Sequence, residues 1–523
     1  MRPVVVMALV LVASCKTLPK TPPEALAALQ AKPGAHLRGT VAALGSPQVF
    51  NREDFVWDTK VSPDSKSVAV SRLGMKSFHL SVFGLEDPKK ARADVVVNAL
   101  EFNVEGLDWS SDGALIAAVS RDRSVRLFDA VNGAQKGAWL TDEALTAVAF
   151  HPKAPLLAVA STKGLITVLT WPELGFVAEQ RGHTDEITGL AWAPTGELFS
   201  SSWDRSVSVW RVEETSSSAK ESRARYEKKS GVQVFRAVFD GKASASFVVD
   251  TRLPIVVVRS SLAQTAGIDV LSLTESISIP SAMGAQMSRL AKGRSLAFKG
   301  LTVRNLDVAV CDACLPQDAQ AALGQAFVDR VSIATDESTQ EFVLTPKADA
   351  GDVSATSPQS LVRARRFTFE GSVNDVSVDA SGTVLAVALS ELKGERTRDV
   401  YEREKRKEVE PERPWDCAAR VDAQRGTVLE NLKGHRGVVS SAAISPDGKT
   451  VVSGGWDKKV VLHGAVESQV ESFGWSIRRV RFSRDGRLLT VAAWTPQNPL
   501  SDHQSDPAAV VYEVVYSEAS VSP

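Results

Sequence analysis

A repeat of about 40 residues constrains the fold of this chain more than any other feature of its sequence. Each copy begins with an alternating apolar strand, a polar turn and a second apolar strand. An Asp and a third alternating strand follow. The turns after the first strands begin at Val61, Trp109, Phe150, Trp192, Val378, Ile444 and Phe482. This spacing predicts a ring of seven four-stranded blades.

Two copies carry a characteristic set of polar residues. In each copy a Gly-His pair precedes a strand that ends in Trp-Asp, and an aromatic ring or imidazole closes the next strand. The members are His183, Asp204 and Trp210 in the fourth copy, and His435, Asp457 and His463 in the sixth. These copies resemble WD40 repeats, in which the His, a strand Ser or Thr, the Asp and a Trp form a buried hydrogen-bonded chain. The resemblance implies a structural role for these residues and a propeller that binds proteins or peptides on its faces.

The repeat breaks after Glu214 and resumes near residue 361. The polar segments 215–230 and 347–360 are interpreted as linkers. Residues 231–346 between them have a different pattern and are predicted to form a separate inserted domain. Residues 361–369 are expected to supply the delayed fourth strand of the interrupted blade.

The insert resembles retroviral-type aspartic proteases in the order and spacing of several segments. These are Phe247-Val248-Val249-Asp250-Thr251, a short helix at 261–268, a strand pair at 300–310, and the hydrophobic-hydrophobic-Gly element Ala322-Leu323-Gly324. The resemblance implies a small retropepsin-like β domain. It places Asp250 and Thr251 in the catalytic loop and Gly324 beside them.

The sequence departs from this family at the residue on which the chemistry depends. Where the family has Asp-Thr-Gly, this chain has Asp250-Thr251-Arg252. The family's two Asp residues share one proton, because two close carboxylates cannot easily both ionise. A nearby guanidinium favours both anions and removes that proton. We therefore expect Arg252 to oppose catalysis.

A single Asp-Thr loop would also need a partner copy from a second chain, as in the family's small homodimers. Two interpretations follow. The insert is either a degenerate domain kept for peptide binding or homodimerisation, or a dimeric aspartic endopeptidase that uses Asp250.

The N-terminus has the pattern of an exported lipoprotein. Arg2 precedes an apolar run, residues 4–12, that is too short to span a bilayer, and Val12-Ala13-Ser14-Cys15 follows. This segment resembles the lipobox of bacterial lipoproteins, which implies cleavage before Cys15 and its acylation. Lys16, where enteric bacteria place an Asp for inner-membrane retention, implies the outer membrane, on its periplasmic or surface face.

Charge and cysteine usage exclude some functions and leave others open. Lys plus Arg is 61 and Asp plus Glu is 62, which gives no indication of a nucleic-acid partner. The seven His show no metal-site spacing, so we expect neither a metal nor a cofactor. Cys311-Asp312-Ala313-Cys314 is expected to be a local disulfide, with redox chemistry or half of a zinc site as the alternatives. Cys417 is then a buried free thiol or a partner in another bridge.

The sequence thus predicts an all-β chain, a seven-bladed WD40-type β-propeller interrupted by a small retropepsin-like β domain. The expected order is signal peptide 1–15, tether 16–38, blades 1–4 in 39–214, insert 231–346 and blades 5–7 in 361–516. The charged segment 391–413 is interpreted as a solvated excursion, with a docking arm as the alternative. The expected function is a membrane-anchored protein-binding scaffold. The alternatives are the aspartic peptidase and, more weakly, a propeller that binds a glycan or small ligand in its channel.

Overall fold

A computed structural model describes residues 41–516, apart from 52–54, 74–76, 100–103, 142, 173, 215–221, 242, 283, 299–300, 349–350, 356–358, 391–417, 465–468, 474–475 and 495–508. The predicted signal peptide, Cys15, the whole tether, the 391–413 excursion and Cys417 lie outside the described residues. Within the described part of the chain, no helix is long and apolar enough to cross a membrane.

The first part of the propeller contains sixteen strands in chain order. They are β1 (Val41–Asn51), β2 (Phe55–Val61), β3 (Ser67–Leu73), β4 (Ser77–Gly84), β5 (Asp87–Ala99), β6 (Val104–Trp109), β7 (Leu115–Ser120), β8 (Ser124–Asp129), β9 (Gln135–Leu140), β10 (Leu145–Phe150), β11 (Leu156–Ser161), β12 (Leu165–Thr170), β13 (Phe176–Arg181), β14 (Ile187–Trp192), β15 (Leu198–Ser202) and β16 (Ser206–Glu214).

The insert contains eleven strands, two short α-helices and one 3₁₀ turn at Val270–Ser272. The strands are β17 (Ser222–Lys229), β18 (Val232–Phe239), β19 (Ala243–Val249), β20 (Val256–Val258), β21 (Ser276–Ile279), β22 (Gln286–Phe298), β23 (Leu301–Val310), β24 (Ala321–Leu323), β25 (Val331–Asp336), β26 (Glu341–Pro346) and β27 (Val353–Ala355). The helices are α1 (Ser260–Thr265) and α2 (Gln325–Val328).

The chain then returns to the propeller with twelve further strands. They are β28 (Gln359–Thr368), β29 (Ser372–Val378), β30 (Val384–Ser390), β31 (Ala418–Asp422), β32 (Val428–Leu432), β33 (Val439–Ile444), β34 (Val451–Gly455), β35 (Lys459–His463), β36 (Gln469–Ser472), β37 (Ser476–Phe482), β38 (Leu488–Trp494) and β39 (Ala509–Tyr516).

These strands form seven four-stranded antiparallel blades, which confirms the predicted fold class. Blades 1, 2, 3, 5 and 6 each use four consecutive strands. Blade 4 joins β14–β16 to β28, which pairs with β16 in the position expected for the delayed fourth strand. Blade 7 joins β37–β39 to β1 from the other end of the chain. This exchange closes the ring, because the first and last strands of the propeller share one sheet.

The inner strands of the blades are buried on both faces because each blade packs between two neighbours. All six residues of β7 are buried, as are all six of β10. One apolar cluster, for example, contains Leu127 and Trp139 of blade 2 together with Phe150 and Leu157 of blade 3. Short apolar strands with few polar positions are therefore sufficient to build this core.

The insert is wider than the sequence indicated, because β17 lies inside the predicted linker 215–230 and β27 inside the predicted linker 347–360. The linker interpretation is wrong for these residues. Strand β17 pairs with β18 and β26, and its Tyr226 is buried against the Phe342 ring at 4.9 Å. Five of its other seven side chains are charged, so this strand with one buried face has the composition of a linker.

The insert contacts the outer edge of the propeller between blades 2 and 3. Ala243 at the start of β19 pairs with Leu140 at the end of β9, and Arg236 Nε lies 3.6 Å from Glu179 Oε2 on β13. Strand β19 therefore runs away from this contact, and its far end lies roughly 20 Å along the strand. The loop that carries Asp250 begins at that far end.

Candidate functional site: the Asp250 loop and the propeller channel

Three strands hold the loop that carries Asp250. Strand β24 lies between β19 and β20, parallel to the first and antiparallel to the second. The chain passes from β19 to β20 around the end of β24, and the Asp250 N–H donates to Leu323 O at 3.0 Å. This arrangement fixes the backbone of Asp250 independently of its side chain.

Gly324 lies directly against this loop. A Cβ atom at Gly324 would approach Ile255 O at 2.1 Å and Leu253 O at 2.7 Å, so no other residue fits there. The next residue, Gln325, donates its N–H to Leu253 O at 2.8 Å. The hydrophobic-hydrophobic-Gly element is therefore adjacent to the Asp-Thr loop, as the family resemblance implied.

Arg252 forms a bidentate ion pair with the carboxylate of Asp250. Its Nε donates to Asp250 Oδ1 and its Nη2 to Oδ2, both at 2.8 Å, while its backbone N–H also donates to Oδ1 at 3.1 Å. The Asp250 side chain is 22% exposed, whereas that of Arg252 is 87% exposed. These hydrogen bonds from Arg252 lower the pKa of Asp250 below its ordinary value.

This geometry opposes general acid–base chemistry at Asp250. Both carboxylate oxygens already accept hydrogen bonds from a permanent cation, so the anionic form of Asp250 is stabilised over the protonated form. Thr251 beside it is exposed. The backbone of the loop is thus held by the surrounding strands around a carboxylate whose protonation is disfavoured.

The His183–Asp204 pair of blade 4 has a different environment. Its side chains are 0% and 2% exposed, and His183 Nδ1 donates to Asp204 Oδ2 at 2.9 Å. His183 Nε2 then accepts from the Ser200 hydroxyl at 2.7 Å, and Ser200 in turn accepts from Trp210 Nε1 at 2.8 Å. Burial alone would raise the pKa of Asp204, but the bond from His183 lowers it well below its ordinary value. Every member is satisfied inside the blade.

Blade 6 contains the same chain with one substitution. His435 Nδ1 donates to Asp457 Oδ1 at 2.9 Å, and its Nε2 lies 2.8 Å from the Ser453 hydroxyl. His463 Nε2, 2.7 Å from that hydroxyl, takes the position of the Trp indole. Burial and the nearby His435 lower the pKa of His463 to about 4, so its ring is neutral and donates as an indole would.

Sequence reasoning missed a set of arginines that cross the propeller channel. Strand β37, the innermost strand of blade 7, carries Arg478, Arg479 and Arg481. Arg481 forms a two-pronged pair with Asp375 of blade 5, with Nη2 2.9 Å from Oδ1, and Arg479 Nη2 donates to Thr188 O of blade 4 at 3.1 Å. Three cations in one innermost strand were the available signal, because among the other innermost strands only β2 carries a basic residue, Lys60.

A second polar cluster lies at the starts of the innermost strands. Glu105 of blade 2 accepts from Trp57 Nε1 at 3.3 Å and from Arg121 Nε at 2.6 Å, and it pairs with Arg478 of blade 7. Arg121 Nη2 also pairs with Glu186 of blade 4 at 2.9 Å. Burial raises the pKa of Glu186 to about 7, despite the opposing effect of Arg121. This cluster links four blades across the ring.

At the opposite ends of these strands the channel opens into a cavity of about 310 Å³, lined by residues of all seven blades. Pro63, Pro152, Pro194 and Pro446 stand around its mouth, and Arg481 lies in its wall. Arg479 and Arg481 cross the channel next to this cavity, so a ligand that entered the cavity would contact ion-paired side chains.

Cys311 and Cys314 are joined by a disulfide, with their Cα atoms 5.5 Å apart. Among the residues that the structure describes, no cluster of three or more His, Cys, Asp or Glu side chains has the geometry to hold a metal ion.

Comparison with known families agrees with this architecture. The family described as aspartyl protease matches residues 235–327, and the WD domain, G-beta repeat, matches residues 97–129, 175–211 and 426–463. The chain therefore contains WD40 repeats, which generally mediate protein–protein interactions, and an aspartyl protease-like domain.

Two proteins resemble part of the chain. Probable cytosolic iron-sulfur protein assembly protein 1 of Candida glabrata is 28% identical over 127 residues, which is 21% of this chain and 38% of that protein. Apoptotic protease-activating factor 1 of Homo sapiens is 28% identical over 160 residues, which is 30% of this chain and 12% of that protein. The chain therefore spans well under two thirds of the length of either relative.

Proposed function

We propose that this protein is a lipid-anchored scaffold of the bacterial cell envelope that binds proteins through its propeller and carries an inactive protease-like insert. The observation that carries the loss of catalysis is the ion pair between Asp250 and Arg252. The repeats support the scaffold role, and the N-terminal lipobox pattern supports the anchor.

Inactivity follows from the proton that an aspartic protease needs. A pair of aspartates works only while one carboxyl group holds a proton and the other is ionised. Arg252 stabilises the ionised form of Asp250, and a second copy of the chain would bring the same pair. Two such loops would hold two carboxylates and two guanidinium groups, with no proton to share.

The rival function is a dimeric aspartic endopeptidase. The position of Gly324 and the hydrogen bond from Asp250 N–H to Leu323 O favour it, since both preserve the backbone of the loop. Arg252 is exposed enough to leave the carboxylate when a substrate or second copy arrives.

Peptide cleavage monitored by mass spectrometry between about pH 3 and 7 separates these functions. We expect no cleavage by the native protein and none by Asp250→Asn. Activity in Arg252→Gly that is absent from Asp250→Asn/Arg252→Gly would show that one side chain blocks the site. Cleavage by the native protein that disappears in Asp250→Asn would overturn the proposal.

The scaffold role is tested by photo-cross-linking in cells. A photoreactive residue at Ala380, which is exposed at the mouth of the channel cavity, should form adducts with another protein. The same residue at Lys89, exposed on β5 at the outer edge of blade 1, is the matched control. Equal adduct patterns from both positions would contradict a specific docking face.

The proposed anchor requires acylation of Cys15. Metabolic labelling with a fatty acid should modify the native protein and not Cys15→Ala, and the variant should leave the membrane fraction. Separation of inner from outer membranes then tests the proposed outer-membrane location, on its periplasmic or surface face. Label retained by Cys15→Ala would remove this part of the proposal.

A further inference from the structure

We propose that Cys311 and Cys314 form a thiol–disulfide exchange site through which a dithiol reductant controls the order of the Asp250 loop. This inference goes beyond the proposed function and holds whether the insert binds peptides, dimerises or cleaves. It rests on where the disulfide lies in the insert and on what the bridged turn supports.

The disulfide closes the turn between β23 and β24, which we call the CxxC turn (residues 311–319). Cys311 is 7% exposed and Cys314 is half-buried, so Cys314 is the more accessible of the two residues. A bridge that closes such a short loop restricts the unfolded chain less than a long-loop bridge does. Its effect is therefore mainly on the local conformation of the turn.

Arg259 holds the CxxC turn in that conformation. Its guanidinium donates to the backbone oxygens of Asp312 at 3.1 Å, Pro316 at 2.9 Å and Ala319 at 2.9 Å. The Asp312 carboxylate accepts from Ser260 N–H at 3.0 Å and from the Ser260 hydroxyl at 2.6 Å. The three bonds from Arg259 require the carbonyls of the turn to converge on one side chain.

The CxxC turn leads directly into the element that supports Asp250. Gln320 N–H donates to Ser246 O on β19, and β24 begins at the next residue and is followed by Gly324 beside the loop. Leu253 of the loop also shares a small apolar cluster with Cys311 and Leu315, and Cys314 packs against that cluster. A change in the turn is therefore transmitted through both the backbone and the packing.

The exchange follows ordinary thiol chemistry. A thiolate of the reductant attacks Cys314 Sγ, the S–S bond breaks, and its electron pair passes to Cys311 Sγ, which takes up a proton. The second thiol of the reductant then displaces Cys314, which also takes up a proton. The chain gains two electrons and two protons, and the dithiol becomes a disulfide.

Reduction removes the covalent constraint on the CxxC turn and allows Arg259 to lose its carbonyl partners. Strand β24 and Gly324 then support the Asp250 loop less firmly. The oxidised insert presents an ordered loop and the reduced insert a mobile one.

Hydrogen–deuterium exchange of the purified full-length protein tests this coupling. Dithiothreitol should raise the exchange rate of peptides covering 246–258 and 320–328 by about tenfold, since the free energy of local opening falls. Peptides covering β14 of the propeller should not change. Reoxidation should restore slow exchange, which makes the native protein its own control.

The variant Cys311→Ser/Cys314→Ser should exchange rapidly at 246–258 with or without dithiothreitol. This also separates the effect from any bridge that involves Cys417. The proposal is overturned if reduction changes exchange only within 311–319, or if the disulfide resists excess dithiothreitol in the folded protein.

Discussion

The propeller and the insert each contain an Arg that forms a bidentate ion pair with an Asp, and the two pairs have different roles. In the propeller, Asp375 is 0% exposed and Arg481 is 19% exposed, and the pair joins blade 5 to blade 7. In the insert, Asp250 is 22% exposed and Arg252 is 87% exposed, and the two residues are neighbours in one loop. The same kind of ion pair is a buried link between two blades in the propeller and a surface contact within one loop in the insert.

The difference shows that burial and chain separation decide what an ion pair does. Asp375 and Arg481 are 106 positions apart, so their pair exists only when the ring is closed. Removing either side chain of this pair leaves the other one charged, buried from solvent and without its partner. The Asp250 pair forms within the loop and remains hydrated, so it alters the chemistry of the carboxylate more than the stability of the fold.

The largest expected effect is that of Arg481→Met. This change leaves the Asp375 carboxylate buried with Ser441 and the more distant Arg479, and we expect it to destabilise the propeller by about 3–5 kcal/mol. Urea unfolding followed by far-UV circular dichroism, which reports on the strands of both regions, measures the change. Arg252→Met is the matched control in the insert and should leave the unfolding midpoint within experimental error.

The double variant Asp375→Asn/Arg481→Met sharpens this result. Removing the charge from both partners should recover about 1–2 kcal/mol of the loss caused by Arg481→Met. Equal destabilisation by the double and single variants would mean that packing, rather than an unpaired charge, explains the loss.

Asp204→Asn should have the next largest effect. Its carboxylate accepts bonds from His183, Ser206, the Thr184 N–H and Arg366, so an amide group at either oxygen would face a donor. We expect a loss of about 2 kcal/mol. Asp457→Asn in blade 6 should cost a similar amount, whereas a loss confined to blade 4 would show that the two networks are not equivalent.

The pH dependence of stability should separate the two regions further. Because burial raises the pKa of Glu186 from 4.5 to about 7, the folded protein binds more protons than the unfolded chain between these values. The contribution of Glu186 is thus full below about pH 4.5 and is lost as the pH rises toward 7, by on the order of 2 kcal/mol. Glu186→Gln mimics the protonated form and should remove this slope in urea unfolding.

Asp250 has the opposite sign and a lower pH window. Arg252 lowers the pKa of Asp250, so the contribution of Asp250 to stability is present above the ordinary Asp value and is lost as the pH falls below it.

The assignment to Glu186 would be refuted if the native protein and the Glu186→Gln variant had identical stability curves between pH 4.5 and 7.

The smallest expected effect is that of Asp250→Asn on stability. The loop backbone is held by Leu323 and Gly324 rather than by the carboxylate, so the thermal midpoint of the protein should not move measurably. Differential scanning calorimetry of Asp250→Asn beside Asp204→Asn provides the comparison. A fall as large as that of Asp204→Asn would mean that Asp250 organises the insert and that the two regions do not differ.

The fold and the frame of the candidate site were predictable because both depend on short-range patterns. The alternating strands and the turns that begin at Val61 and Ile444 satisfy local backbone requirements that repeat in every blade. Gly324 was recognisable from the family resemblance, and the structure gives the reason, because the close backbone approach there admits only glycine. Strand β17 was missed because charged side chains on its exposed face concealed a single buried ring, Tyr226.

The sequence by itself determined the all-β class, the WD40 repeats, the aspartyl protease-like insert and the replacement of a glycine by Arg252. The tertiary structure alone decided that Arg481 reaches Asp375, that Arg121 reaches Glu186 and that Arg252 turns onto Asp250. The physical reason is that repeats and turns encode the path of the backbone locally. Ion pairs between distant blades depend on ring closure, which no short segment of the chain contains.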